Sequence, residues 1–360
     1  MNWEAAARGG RQKWFYMPNR ENKTIADSTS FALASKVKDY FLLIKFTLSF
    51  MVVFSTVISY LLAPNVRFDI IQVLLLFVAG MLITGSANSI NQALEKDTDA
   101  QMKRTAGRPV ASGRMSVQEA MSFAAVAGII GIGILWYFFN VESAMLGLLS
   151  LVLYGFVYTP LKKINSVAVL VGAIPGALPC LIGWVAGTGT FSAGGWVLFA
   201  IQFLWQFPHF WAIAWVAHKD YSAAGFKLLP GDKGPTKFTA LQSVIYSMMM
   251  VPIGLLPFYI GMSGWVSMWI LLLCNLGMVF LCVRLYINMD VASARRVMFG
   301  SYFYLMIVFL SLYADKQNRA EQRYVVQEGD ATMMIAAQSL DHKGFKKENL
   351  YERSGDTTTK

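Results

Sequence analysis

Residues 70–109 read IIQVLLLFVAGMLITGSANSINQALEKDTDAQMKRTAGRP, an apolar run that passes directly into a dense cluster of acids and bases. The apolar part is long enough to cross the hydrocarbon core of a bilayer as a helix, which takes roughly 20 residues. Carboxylates this close to lipid are costly unless a partner neutralises them. The stretch therefore predicts a membrane-spanning helix that carries a polar functional motif at its end.

Similar apolar blocks recur along the 360-residue chain, which is 56% hydrophobic and only 14% charged. They lie near residues 42–63, 70–90, 117–139, 143–161, 166–187, 195–217, 238–259, 265–287 and 297–314. Each block is continuously apolar, whereas the strands of a membrane barrel alternate over about ten residues. The pattern predicts an all-α membrane protein, a bundle of about nine transmembrane helices.

Basic residues indicate the orientation of this bundle. They concentrate in the loops after even-numbered blocks, and such loops stay on the cytoplasmic side. We therefore expect a cytoplasmic N-terminal segment 1–40, a transmembrane domain 41–315 and a polar, disordered tail 316–360. The net charge of +10 is explained by loops beside anionic headgroups, so it does not indicate nucleic acid. The expected location is the bacterial cytoplasmic membrane, with the mitochondrial inner membrane as the alternative.

The acidic residues after the second block have helical spacing. If the helix continues, Asn88, Asn91, Glu95 and Asp99 line one face, because positions three or four residues apart differ by only about 40–60° around the axis. Asp97 falls on the opposite side. Carboxylates held this close repel one another unless a cation lies among them. Mg²⁺ takes oxygen ligands and leaves positions for substrate phosphate, so we predict that Asn91, Glu95 and Asp99 bind it.

Three basic residues follow one or two turns later, namely Lys103, Arg104 and Arg108. Their charge suits a diphosphate, both when it binds and when negative charge grows on it as it leaves. The alternative is a solvated helix end with weak surface ion pairs. The acid-then-base order at the end of a span favours the site.

The segment NQALEKDTDAQMKRTAGRPVASGRMS resembles the first signature of the protoheme IX farnesyltransferases (haem O synthases), a family of intramembrane aromatic prenyltransferases. That signature falls here on Asn91, Glu95, Asp99, Met102, Arg104, Thr105, Arg108 and Pro109. Further similar pieces are YTPLKK at 158–163, QFPHFWAIAW at 206–215 and KDYSAAGFKLLP at 219–230. The resemblance extends over roughly residues 40–315.

The resemblance implies a helix bundle around a central cavity open to the membrane. It implies Mg²⁺-dependent transfer of the farnesyl group of farnesyl diphosphate to a vinyl group of haem B, giving haem O and diphosphate. The implied catalytic residues are Asn91, Glu95, Asp99 and Arg104, and the implied substrate-binding residues are Lys103, Arg108, Tyr158, Lys162, Lys219, Asp220, Tyr221 and His209. His209, a histidine inside an apolar block, has two interpretations: a contact to haem, because imidazole is the usual haem ligand, or a packing histidine, which a lone intramembrane histidine more often is. Further implied partners are a haem A synthase and the assembly of a terminal oxidase.

Two departures from the family pattern stand out. The second polar loop has Asp220 alone until Asp232, so a second full metal clamp is not expected. The first span reads IKFTLSF where relatives have Lys-Pro-Arg, so a basic residue expected near Thr47 is missing. Two other functions stay open: a polyprenyltransferase acting on a quinone or chlorophyll precursor, and a membrane transporter. The transporter is disfavoured because charged residues gather at the ends of spans and no inverted repeat is visible.

Overall fold

A computed structural model describes residues 34–64, 66–230 and 234–317 of the chain. Within these ranges the ordered elements are helices, apart from one isolated bridge between Ser263 and Lys316. The α-helices are α1 Ala34–Leu43, α2 Phe46–Leu62, α3 Ile70–Leu94, α4 Lys96–Gln101, α5 Val117–Phe138, α6 Val141–Val152, α7 Thr159–Leu161, α8 Ala168–Thr188, α9 Ala193–Val216, α10 His218–Ala223, α11 Lys237–Tyr259, α12 Trp265–Asn288 and α13 Val291–Ala314. A π-helix, Leu153–Tyr158, joins α6 to α7.

Eight of these helices or helix runs are long and apolar enough to cross a membrane. The run from Val141 to Leu161 counts as one of them, and α1 with α2 forms a ninth that is bent by 53°. The prediction of an all-α membrane protein with about nine spans is confirmed. In such a protein the helices satisfy their own backbone hydrogen bonds, which lipid cannot do.

Helices α8 and α9 form the centre of the bundle. In their most apolar windows, 78% and 72% of residues are buried, against 28–44% for the other spans. Small residues allow this close packing: a Cβ at Gly183 of α8 would collide with the carbonyl of Thr56 in α2, and one at Gly176 would collide with the Gln206 side chain. Close approach of this kind stabilises helix pairs in lipid, where apolar burial alone does not.

Several helix ends differ from the apolar blocks. Helix α3 continues to Leu94 because its polar residues have partners: the Asn88 amide donates to Ile44 O and Ser49 Oγ, and the Gln92 amide donates to Leu43 O. Helix α13 begins at Val291 rather than near 297, because the Asp290 side chain accepts from Ser293 N at 2.7 Å and caps its first turn. Hydropathy alone does not detect either effect.

The chain after α13 folds back onto the bundle. Lys316 Nζ donates to the carbonyls of Leu61, Ala63 and Val66, at and just after the end of α2, at 2.7, 2.8 and 3.3 Å. Gln317 N donates to Met262 O at 3.0 Å. These two residues therefore pack with the transmembrane bundle. Residues 318–360 of the expected disordered tail and residues 1–33 of the expected cytoplasmic segment lie outside the described ranges.

Candidate active site

The acidic motif lies across a one-residue break between α3 and α4. Glu95 has φ −101° and ψ 13°, so the expectation of one continuous helix is wrong at this residue. The helical hydrogen bonds nevertheless persist, from Glu95 N to Asn91 O at 3.0 Å and from Asp99 N to Glu95 O at 2.7 Å. Asn91, Glu95 and Asp99 therefore keep a common face and line one cavity. Asp97 is exposed, as its angular position predicts.

Asn88 does not join this group. Its side chain is turned toward the start of α2, where its amide nitrogen lies 3.2 Å from Ile44 O and 3.1 Å from Ser49 Oγ. It holds α2 against α3 and is absent from the cavity wall. Its spacing predicts a place on the same face as the motif, but packing between the two helices decides its role.

The cavity has a volume of about 880 Å³ and two chemically different parts. Ligand pockets typically measure roughly 300–1,000 Å³, so there is room for a large ligand. One part is charged and is lined by Lys38, Lys45, Asn91, Glu95, Asp99, Arg104, Arg108 and Lys162. The other part is apolar or aromatic and includes Phe41, Phe46, Leu48, Val169, Phe210, Ile213, Leu228 and Tyr302. With five basic side chains against two acidic ones, the charged part suits a multiply charged anion.

Both buried carboxylates are paired with a base. Lys162 Nζ lies 2.6 Å from Glu95 Oε1, and Arg108 Nη1 lies 2.6 Å from Asp99 Oδ2. Burial lowers the pKa of Lys162 below 10.5, while the neighbouring Glu95 opposes this shift. Asp99 Oδ1 is buried and finds no hydrogen-bond partner among the residues that the structure describes. A buried carboxylate oxygen left in this condition is a ready acceptor for a cation.

Lys45 completes the charged part, and the sequence reasoning missed it. It lies at the bend between α1 and α2 in a left-handed conformation, with φ 49° and ψ 56°. Its Nζ donates to Asn91 Oδ1 at 2.9 Å. The basic residue sought near Thr47 is thus supplied two positions earlier. A signal was present, because a lysine inside an apolar block is by default a candidate functional residue.

Two polar loops meet over the charged part. Arg104 Nη2 donates to Tyr221 Oη at 2.9 Å, and its guanidinium lies 5.5 Å from the Tyr221 ring centroid. Burial raises the pKa of Tyr221 above 10.0, so its hydroxyl is protonated at neutral pH. Met102 packs against Ala224 and Phe226 in the same place. The loop after α4 and the loop around α10 are therefore joined at the cavity mouth.

Not every residue implied by the family resemblance reaches the cavity. Within the described ranges, the structure does not bring Lys103, Lys219 or Asp220 to its wall. Lys103 and Lys219 are exposed and Asp220 is partly exposed. Of the Lys-Asp-Tyr piece, only Tyr221 lines the cavity.

Tyr158 and Lys162 sit beside the acidic motif, at the end of the fourth span. The Lys162 amine lies 4.9 Å from the Tyr158 ring centroid, and the Tyr154 ring is 5.3 Å from that of Tyr158. The Tyr158 ring fills the space beside Gly172, where an added Cβ would come within 2.6 Å of two ring carbons. Two tyrosine rings thus line the cavity beside the acidic motif.

His209 lies on the cavity wall in an aromatic setting. Its ring is stacked on Trp205 at 4.7 Å and meets Tyr302 edge-on at 4.9 Å. Its Nδ1 is 2.7 Å from Ser301 Oγ, and that hydroxyl donates its proton to Met298 O at 2.6 Å. Because a hydroxyl has one proton, His209 Nδ1 must be the donor, which leaves a lone pair on Nε2.

Fold and site define a helical membrane protein with a chamber for an amphiphile that has an anionic head and an apolar body. A family model agrees with this class: the UbiA prenyltransferase family matches residues 52–310. The chain belongs to the UbiA prenyltransferase family.

The chain is 45% identical to the protoheme IX farnesyltransferase of Cytophaga hutchinsonii, over 79% of this chain and 99% of that protein. It is 39% identical to the protoheme IX farnesyltransferase of Christiangramia forsetii, over 79% and 95%.

Solved structures agree on the fold. A digeranylgeranylglyceryl phosphate synthase has a TM-score of 0.66 at 20% identity, covering 78% of this chain and 98% of its own. A UbiA homologue from Archaeoglobus fulgidus bound to GPP and Mg²⁺ has a TM-score of 0.59 at 14% identity, covering 76% and 99%. At these identities the similarity establishes the architecture alone.

Proposed function

We propose that this protein transfers the farnesyl group of farnesyl diphosphate to a vinyl group of haem B, producing haem O and diphosphate. The observation that carries the proposal is the convergence of Asn91, Glu95 and Asp99 with basic side chains in the charged part of a cavity that is elsewhere apolar or aromatic. The names of the relatives supply the identity of the two substrates.

The proposed donor site includes Mg²⁺. Asn91, Glu95 and Asp99 offer the oxygen ligands that this ion takes. Asp99 Oδ1 is a buried acceptor that has no hydrogen-bond partner among the described residues. When bound, the ion would neutralise charge on the diphosphate and make it a better leaving group. The A. fulgidus homologue, whose structure contains GPP and Mg²⁺, supports the same assignment.

Basic residues complete the proposed diphosphate site. Lys162 and Arg108 line the cavity and are paired with Glu95 and Asp99. A bound metal–diphosphate complex would therefore contact both members of each pair, the carboxylate through the metal and the base through the phosphate. Arg104 is held by Tyr221 at the mouth, where its remaining N–H groups can reach phosphate oxygens. These cations stabilise the negative charge that develops as the diphosphate departs.

The proposed reaction breaks the bond between C1 of the farnesyl group and the diphosphate oxygen, which keeps the electron pair. The vinyl double bond of haem B supplies the electrons of the new carbon–carbon bond. The carbon left electron-poor then takes the oxygen of water, which gives up a proton. Premature water would consume the allylic cation, so an apolar chamber is required. The Tyr154 and Tyr158 rings can shield and stabilise that cation through their π faces.

We place the haem near His209. The aromatic rings around it provide a flat apolar surface, and the lone pair on Nε2 can contact the haem iron, for which imidazole is a common ligand. His209 and the acidic motif line one cavity, so a haem held there and a farnesyl chain held by its diphosphate share a chamber.

We further propose a location in the bacterial cytoplasmic membrane with the N-terminus inside, and a supply of haem O to a haem A synthase or to terminal-oxidase assembly.

Product analysis of the purified protein tests the function. In detergent with Mg²⁺, farnesyl diphosphate and haem B, we expect a product with the mass of haem O. The variants Glu95→Ala and Asp99→Ala should abolish it while remaining folded, and Asp97→Ala should serve as a control because that carboxylate is exposed. Unchanged turnover in the first two variants contradicts the metal assignment. Prenylation of a quinone precursor in place of haem contradicts the acceptor.

A further inference from the structure

We infer that Thr159 is a positioning residue that fixes the Asn91 amide with its oxygen toward the cavity. This inference rests on the proposed function, because it concerns how a neutral side chain becomes a metal ligand. An asparagine binds a cation only through Oδ1, and its amide can in principle turn around to present nitrogen instead. Something in the structure must decide between the two orientations.

The hydrogen bonds of Thr159 select one of the two orientations of the Asn91 amide. Thr159 is only 2% exposed, and its hydroxyl donates to Tyr154 O at 2.9 Å. The same oxygen lies 3.2 Å from Asn91 Nδ2. Since the single hydroxyl proton is committed to the carbonyl, Thr159 Oγ1 can act toward Asn91 only as an acceptor. Asn91 must therefore present its NH₂ group to Thr159 and its oxygen to the other side.

Lys45 enforces the same orientation from the opposite end. Its Nζ, which has protons and no lone pair when charged, lies 2.9 Å from Asn91 Oδ1. A reversed amide would set nitrogen against the Lys45 amine and oxygen against the Thr159 oxygen, so both hydrogen bonds would be lost inside a buried site. Unmade hydrogen bonds of buried groups are costly, so the orientation with Asn91 Nδ2 toward Thr159 is favoured.

The π-helix explains how Thr159 comes to hold this place. Leu153–Tyr158 forms the wider turn directly before it, and this turn brings the hydroxyl to the carbonyl five residues earlier. Single π-helical turns inside α-helices occur frequently at functional sites. Here the turn directs the Thr159 hydroxyl proton to the Tyr154 carbonyl, and this hydrogen bond in turn fixes the orientation of the Asn91 amide on α3.

The test measures metal binding rather than turnover. Wild type and variants, reconstituted in nanodiscs, are titrated with Mg²⁺ in the presence of the unreactive analogue farnesyl S-thiolodiphosphate, and binding is followed by calorimetry. Thr159→Val keeps the shape and removes the acceptor, so Mg²⁺ affinity should fall roughly five- to tenfold, as expected for one lost hydrogen bond. Thr159→Ser restores the hydroxyl and should recover the affinity. Haem B binding, followed by absorbance, should be the same in all three proteins.

An aspartate at position 91 provides the decisive comparison. Both ends of a carboxylate are oxygen, so in an Asn91→Asp background the further change Thr159→Val should leave Mg²⁺ affinity within twofold. A purely structural Thr159 would lower metal and haem binding together in either background, and that result overturns the inference. Equal Mg²⁺ affinity of Thr159→Val and wild type also overturns it while leaving the proposed function intact. Absence of Mg²⁺ binding in wild type would overturn both.

Discussion

Removing the Lys45 amine gives a sharp test of the charged part of the cavity. Lys45→Met keeps most of the length of the side chain and deletes a donor that is 2.9 Å from Asn91 Oδ1 and that lines the cavity. A hydrogen bond to a charged group is worth about 1.5–3 kcal/mol, and stabilisation of a departing diphosphate belongs to the upper half of that range. About 2–3 kcal/mol lost from the transition state corresponds to a roughly 30- to 150-fold fall in kcat/KM.

The assay is the initial rate of haem O formation in detergent micelles as farnesyl diphosphate is varied at saturating haem B. We expect the loss in kcat/KM for the diphosphate, with an unchanged KM for haem B. Lys38→Met is the matched control: Lys38 also borders the cavity but is exposed, so its charge is screened and the change should be under about threefold. Lys45→Gly suits the left-handed backbone and should lose as much activity as Lys45→Met.

Three outcomes refute the reasoning on Lys45. The first is wild-type kcat/KM in Lys45→Met. The second is an equal loss in Lys45→Met and Lys38→Met, which would indicate a general effect of charge at the mouth. The third is a rise in KM for haem B alone, which would place Lys45 on the acceptor side of the cavity.

Three further predictions concern packing, the end of the bundle and the metal. Gly172→Ala places a methyl group within 2.6 Å of the Tyr158 ring and should lower kcat at least tenfold by displacing it, whereas Gly277→Ala, which meets nothing within 4 Å, should be neutral; rates that do not differ contradict this account. Lys316→Met loses three carbonyl partners and should lower the free energy of unfolding by about 1.5–3 kcal/mol, measured by denaturant titration in micelles, with little change in KM; unchanged stability contradicts it. Chelation with EDTA should stop turnover and added Mg²⁺ should restore it; activity that survives EDTA argues against the metal.

Much of the architecture follows from the sequence because lipid imposes a simple rule. A spanning segment must be apolar, continuous and helical, so each apolar block becomes a helical span, with a bend or a π-helical turn in two of them. The errors occur where tertiary contacts compensate polar residues. Helix α3 runs four residues past its block because Gln92 and Asn88 find acceptors in the chain near α2. No local pattern contains that information.

The candidate site, like the fold, follows only in part from the sequence. Asn91, Glu95 and Asp99 converge through spacing along one helical path, which a sequence displays directly. Lys45 reaches them only because the chain adopts a left-handed turn between two helices, and that turn depends on packing.

The sequence does not show which of two neighbouring basic side chains faces the cavity. Arg104 lines the cavity and Lys103 faces solvent, although they are adjacent in sequence. In an irregular segment the direction of a side chain follows from its tertiary partners, here Tyr221, which lies far away along the chain.

The two-part cavity also bears on how the products separate. Its polar end lies beneath the joined loops at Arg104 and Tyr221, while Phe46, Leu48 and Tyr302 on its apolar wall remain 41–48% exposed, toward the surface that lipid covers. In the proposed reaction, we expect diphosphate to leave from the polar end into water and the farnesylated haem to leave through the apolar side into the bilayer. Products that enter different phases seldom meet again in the cavity, so we expect their separation to disfavour the reverse reaction.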